Sequence, residues 1–231
     1  SERKVYTVTD PLKIRLDKGV HEIVGNEDGK MNVTCSHITF VGKGKDQTTI
    51  RGAFIVTNQQ HVKFEELAVT NQKGPGLWLE GSETNVDVLK CAIKKCGSTG
   101  MEMLGGANVT ATQCEFMEND GSGVYCGDAN TKVRLNDCTM HHNGRSGLYA
   151  ESHAVVDLHG TKTDIHSNKH EGIRAWGRGK VNIHLPSQHN YTSHGNVWDE
   201  DRRQDNGGSI ANINADGTFT HAVEEEDEDD Y

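Results

Sequence analysis

Tyr149, His170 and Arg174 are side chains of the kinds that move protons and neutralise charge. A phenol can donate, an imidazole can accept, and a guanidinium can meet a developing negative charge. Trp78, Tyr125 and Trp176 add flat apolar rings with a polar tip, and Glu102 and Glu151 add hydrogen-bond acceptors. Such a set can hold a ligand on aromatic platforms, or it can transfer protons. Either use requires residues scattered from position 78 to position 176 to be gathered onto one surface.

The histidines raise a second possibility. The chain has 13, among them His141, His142, His166 and His170, and a further pair, His159 and His184. Two imidazoles supply two ligands, and a metal shell needs three or four. They are read as solvated side chains stacked along a strand face, so neither a metal nor a cofactor is expected.

What gathers these residues is a repeat. A glycine followed by an apolar residue recurs at Gly52, Gly76, Gly100, Gly123, Gly147 and Gly172, in steps of 24, 24, 23, 24 and 25. Val62, Val86, Val109, Val133, Val156 and Val181 follow nine or ten residues behind. A third apolar run holds Leu67 and Val69, Cys91 and Ile93, Cys114 and Phe116, Cys138 and Met140, then Ile165. Each run alternates with period two and is bounded by Gly, Asn, Asp or Ser, which are strand and turn signals. Three short strands per turn of about 24 residues predict an all-β right-handed parallel β-helix of seven or eight coils, each rising by about one strand spacing, ~4.8 Å.

Stacking turns equivalent positions into columns. Cys91, Cys114 and Cys138 form an inward column above Leu67, behaving as small hydrophobes. Asn71, Asn119, Asn143 and Asn168 fall at the bends, where they are expected to bond neighbouring backbone and tolerate left-handed φ. Two residues after each repeat glycine the side chain should face outward: Trp78, Glu102, Tyr125, Tyr149, Arg174. Two further on come Glu80, Leu104, Gly127, Glu151 and Trp176.

The repeats resemble those of the pectin-lyase-like superfamily, and Pro11 to Gly52 resembles its opening coils, with a "VGKG" bend and a "TTIRG" strand. The resemblance runs from Leu12 to Leu185. The Gly-apolar-aromatic pattern is also similar to the β-helical region of certain F-box proteins. It implies a fold shared by lyases, hydrolases, epimerases and recognition modules, so function must be read from the site. The hydrolase and lyase signatures "NTD", "GHG", "RIK" and "DPH" are missing, and "DD" occurs only in the acidic tail.

Net charge is −10, of which seven acids lie in Glu224 to Asp230, leaving the body near −3 (−10 + 7). With no basic stripe, nucleic acid is not an expected partner, and no apolar run is long enough for a membrane span. Reduced, buried thiols favour an intracellular compartment, and the sequons at Asn32, Asn108 and Asn190 leave secretion open. The expected organisation is a β-helix domain over residues 1–222, with caps, and a disordered acidic tail over 223–231. Capping is the expected role of Trp198 to Asn206, with partner binding as the sharper alternative.

The function expected is recognition of a partner protein or a polysaccharide by Trp78, Glu102, Tyr125, Tyr149, Glu151, Arg174 and Trp176. The alternative, implied by the resemblance, is a polysaccharide lyase or C5-epimerase using Tyr149, His170 and Arg174. The sequence states no oligomeric state. Because seven consecutive acids cannot pack together without counter-charges, deletion of residues 224–231 should leave the melting temperature nearly unchanged in a thermal denaturation. A large drop would show that the acids dock on the body.

Overall fold

The structure is a computed structural model that describes residues 6–24, 29–184, 193–198 and 201–221. The tail from Glu224 onward lies outside these residues. Three sheets run the length of the molecule, and within each the neighbouring strands come from successive coils. The first contains Leu12–Arg15, Ile38–Val41, Val62–Glu65, Asn85–Leu89, Asn108–Thr112, Lys132–Asn136, Val155–His159, Lys180–His184 and Ser209–Ile213. The second is built from the runs around Val69, Ile93, Phe116, Met140 and Ile165, and the third from the runs that follow the repeat glycines. This is the three-strand coil that the period of about 24 predicts.

Register follows the columns. Ile38, Val62, Val86, Val109, Val133, Val156, Val181 and Ile210 pair in sequence up the first sheet. Their side chains are buried, because a parallel coil has one inner face and period-two alternation delivers every second residue to it. Phe40, Phe54 and Phe64 fill the N-terminal end of the core, with ring centroids 4.8–5.3 Å apart.

The corner between the second and third sheets is held by a ladder of buried asparagines. Asn143 donates from Nδ2 to the Phe116 carbonyl (3.0 Å) and to Asn168 Oδ1 (2.9 Å). Its own Oδ1 accepts from the backbone N–H (3.2 Å) and Nδ2 (3.0 Å) of Asn119. Asn168 repeats the pattern toward Met140 and Asn196, and Asn119 reaches back to Ile93 and to the Cys96 N–H. Left-handed φ falls instead on the residue before Asn119, Asn143 and Asn168 and before Cys96, which holds the same place one coil below: Glu118, His142, Ser167 and Lys95, at 54–56°.

The ladder also explains the repeat glycine. A Cβ on Gly123 would come within 2.8 Å of both Asn143 Nδ2 and the Gly147 carbonyl, so only a residue without one fits there.

Cys91, Cys114 and Cys138 are buried and free, forming the expected column. The stack is less apolar than the sequence implies, since Cys114 Sγ donates to the carbonyls of Val88 and Thr112, each at 3.3 Å. Burial pushes the Cys91 and Cys126 thiols far up, and Cys96 up to about 11.

After Leu185 the helix continues. Arg202–Asp205 adds a strand to the third sheet, and Ser209–Ile213 one to the first. Phe219–His221 then folds back antiparallel on Ser209–Ile213, closing that edge. Trp198 to Asn206 is therefore largely a further coil rather than a cap, although Asp199 and Glu200 lie outside the described residues.

Thermal unfolding should separate the two internal columns. Asn143→Ala strips partners from two buried backbone groups, at ~1–3 kcal/mol each, and should cost about 2–4 kcal/mol. Cys114→Ser keeps a donor facing two carbonyls and should cost only about 1 kcal/mol, the low end for a buried hydroxyl. Equal losses would mean that the asparagine ladder does not govern the corner.

Candidate functional site

The third sheet assembles the outward column read from the sequence. Trp78 pairs with Glu102, Glu102 with Tyr125, Tyr125 with Tyr149, and Tyr149 with Arg174. Ile55 extends the column below and Arg203 above. Trp176, in the neighbouring column, pairs with Asp205. From Trp78 to Trp176 is four coil steps, or roughly 19 Å at one strand spacing per step. The aromatic residues thus form a line along the helix axis, interrupted at Glu102.

Tyr125 and Tyr149 are the contiguous pair, meeting edge to face with centroids 5.4 Å apart. The Tyr125 hydroxyl donates to Glu151 Oε1, which fixes the ring. Both phenols are held well above their ordinary range, first by burial and then by hydrogen bonding to the Glu151 carboxylate. They are proton donors, not phenolates. Burial likewise raises Glu102. Trp78 donates from Nε1 to Glu80 Oε2 at 3.0 Å.

Beside the pair lies a groove of about 340 Å³, formed where the corner turns meet the sheet. Gly97, Ser98 and Thr99 form one wall, Asp120 to Ser122 another, and Glu102, Tyr125, Tyr149 and Arg145 the rest. The corner glycines leave it open.

Above Tyr149 the face changes character. The Arg174 guanidinium lies 5.2 Å from the Tyr149 ring centroid. It also faces Asp205 at 3.5 Å and Glu171 at 4.0 Å. Glu171 is fully buried, with Oε2 accepting from Ser146 Oγ at 3.0 Å and Oε1 lying 3.5 Å from Arg203 Nη1. Glu171 and Arg203 form a cluster that sequence reasoning missed. The signal was available: Glu171 immediately precedes a repeat glycine, where the two coils below carry Ser122 and Ser146.

His170 stands on the corner turn with its ring stacked on Trp198 at 4.4 Å. Of the alternative proton-transfer set, Tyr149 and Arg174 are in contact, while His170 is engaged by this indole.

On the second sheet His141, His166 and His194 stack at 5.0 and 5.5 Å. They are not simply solvated: His141 Nε2 lies 3.1 Å from Glu115 Oε1, and His194 Nε2 lies 2.9 Å from Asp164 Oδ1. Burial, with neighbouring imidazoles, holds His166 below its ordinary range. On the first sheet His159 and His184 stack at 4.1 Å, and Asp157, two residues before His159, joins them. Strand alternation puts Asp157 and His159 on one face, a relation the sequence reading passed over.

Taken together, the coils and this ladder-like face define a right-handed parallel β-helix. The sequence matches the family model described as the right handed beta helix region over residues 22–191, and the chain belongs to that family. No curated protein sequence matches the chain. Among solved structures it is similar to the A-module of a mannuronan C-5 epimerase from Azotobacter vinelandii, a protein of the pectin-lyase fold. That likeness has a TM-score of 0.55 and 12% identity, and covers 92% of this chain and 77% of that one. At this identity it establishes the fold.

Glu171→Gln tests the buried cluster. The change keeps the shape and the Ser146 bond but leaves Arg174 and Arg203 facing a neutral group. Breaking a buried pair costs ~3–5 kcal/mol, and partial exposure of both arginines reduces the expected loss to about 1–3 kcal/mol in chemical denaturation. No loss would show that Asp205 alone balances the two guanidinium groups.

Proposed function

We propose that the protein is a recognition module whose third sheet binds a glycan or a segment of a partner protein laid along the helix axis. The observation that carries this reading is the Tyr125–Tyr149 pair, fixed by Glu151 and standing beside an open groove. Preorganised rings bind with little loss of rotamer freedom, and nearby carboxylates and hydroxyls add directed hydrogen bonds. Glu102 and Asp120 outnumber Arg145 among the groove's lining residues, which favours an uncharged or basic ligand over a polyanion.

A second reading, a polysaccharide lyase or C5-epimerase, draws on the contact between Tyr149 and Arg174 and on the similar epimerase module. Two features weigh against it. The Arg174 charge is met by Glu171 and Asp205, and His170 is stacked on Trp198.

Glycan-array and peptide-array binding, followed by turnover assays on uronate polymers, distinguishes the two. Tyr125→Ala with Tyr149→Ala should weaken binding by roughly 30-fold or more, as for an aromatic hot spot, with circular dichroism unchanged. Turnover of a uronate polymer that disappears in Tyr149→Phe would establish the enzymatic reading instead, because that change removes the proton-bearing oxygen and keeps the ring.

A further inference from the structure

Away from the aromatic face, the first sheet brings together donor atoms of the type and spacing that hold a metal ion. Asp157 and His159 lie on Val155–His159, and the next coil sets Asn182 and His184 beside them in register. The two imidazole planes are parallel to within 9° at 4.1 Å. His184 Nε2 is 2.8 Å from Asp157 Oδ1, and one ligand atom from each of the three residues lies within 4.8 Å of the other two. All three side chains are half-buried. Asn182 Nδ2 donates to Asp157 Oδ1 at 3.0 Å, so a residue outside the donor set orients the carboxylate, as the outer ligands of metal sites do.

We propose that Asp157, His159 and His184 form a binding site for zinc or a neighbouring late first-row divalent ion. Two imidazoles and one carboxylate match the preference of such ions, whereas calcium and magnesium require several oxygen donors. Metal–ligand bonds of roughly 2.0–2.2 Å would open the His184–Asp157 contact, which stands at 2.8 Å, and settle the three donor atoms around the ion, a movement that rotation of the side chains supplies without moving the strands. Three protein ligands on an open sheet face leave the remaining positions to water or an anionic oxygen. Arg134, paired with Asp157 from the coil below and hydrogen-bonded to Asn136 at 3.0 Å, adds a positive charge that favours the anion. The His141, His166 and His194 stack provides a control within the same molecule. There His141 faces Glu115 at 3.1 Å while His166 and His194 share Asp164 at 3.9 and 2.9 Å, and among the described residues no set of three donors converges.

The test is calorimetric titration of zinc chloride into the chelator-treated full chain at neutral pH. The electronic spectrum of the cobalt-substituted protein reports the ligand set. The wild type should bind a single ion and should melt at a higher temperature with zinc than without it. His184→Ala and Asp157→Asn should each weaken binding by more than about 100-fold, and Asn182→Ala by about 10-fold, as for an orienting partner. His141→Ala should bind like the wild type. Should His184→Ala misfold, His184→Gln keeps a polar group of similar reach and must still lose the ion and the cobalt spectrum. Binding that survives His184→Ala, binding lost in His141→Ala, or a wild type that neither takes up zinc nor melts higher with it would overturn the proposal.

Discussion

Everything in this molecule depends on satisfying buried polar groups at a sharp corner. A solenoid must turn three times per coil, and each turn removes backbone groups from the sheet ladders. At the corner between the second and third sheets, Asn119, Asn143 and Asn168 meet that need by bonding both to the preceding coil's carbonyls and to each other. Gly100, Gly123, Gly147 and Gly172 are a consequence, because asparagine side chains stand within 2.5–2.8 Å of where a Cβ would be. The lower coils depart from the rule: Asn71 bonds within its own turn to Pro75 and Lys73, and Cys96 takes the asparagine's place with its N–H capped by Asn119 from the coil above.

The corner fixes where each strand of the third sheet begins, and so which residues point outward. An offset of one residue would exchange the outward and inward sets, placing Tyr125 and Tyr149 in the core and exposing Val124 and Leu148. Because the register holds, residues one coil apart become neighbours at strand spacing. A line of Trp, Glu, Tyr, Tyr and Arg then functions as one surface. The same stacking has a cost where like charges meet, and Arg203 above Arg174 is such a place. The fully buried Glu171, with Asp205, offsets it.

Much of this was legible in the chain itself. The coil length, the valine column, the thiol column and the Trp78-to-Arg174 column all followed from a period of about 24 combined with a period of two. Trp198 to Asn206 was misjudged because the repeat loses its glycine there, yet Arg202–Asp205 still pairs with Ile173–Trp176. Left-handed φ falls one residue before the ladder position, at Lys95, Glu118, His142 and Ser167, although propensity alone favours asparagine. Glu171 was passed over, because burial of a carboxylate depends on cations brought from elsewhere, and Arg203 lies 32 positions further along the chain.

The sequence by itself determined the architecture and which residues share a column, because stacking in a coil is a matter of counting. Only the tertiary structure decided what those residues do to one another. It bound the Tyr125 hydroxyl to Glu151, set Arg174 over Tyr149 and against Glu171, drew His170 onto Trp198, and joined Asp157 to two histidines. The physical reason is range. Backbone periodicity carries position along the whole chain, whereas hydrogen bonds, ion pairs and ring contacts act over a few ångströms, between atoms whose rotamers are chosen only once the coils are packed.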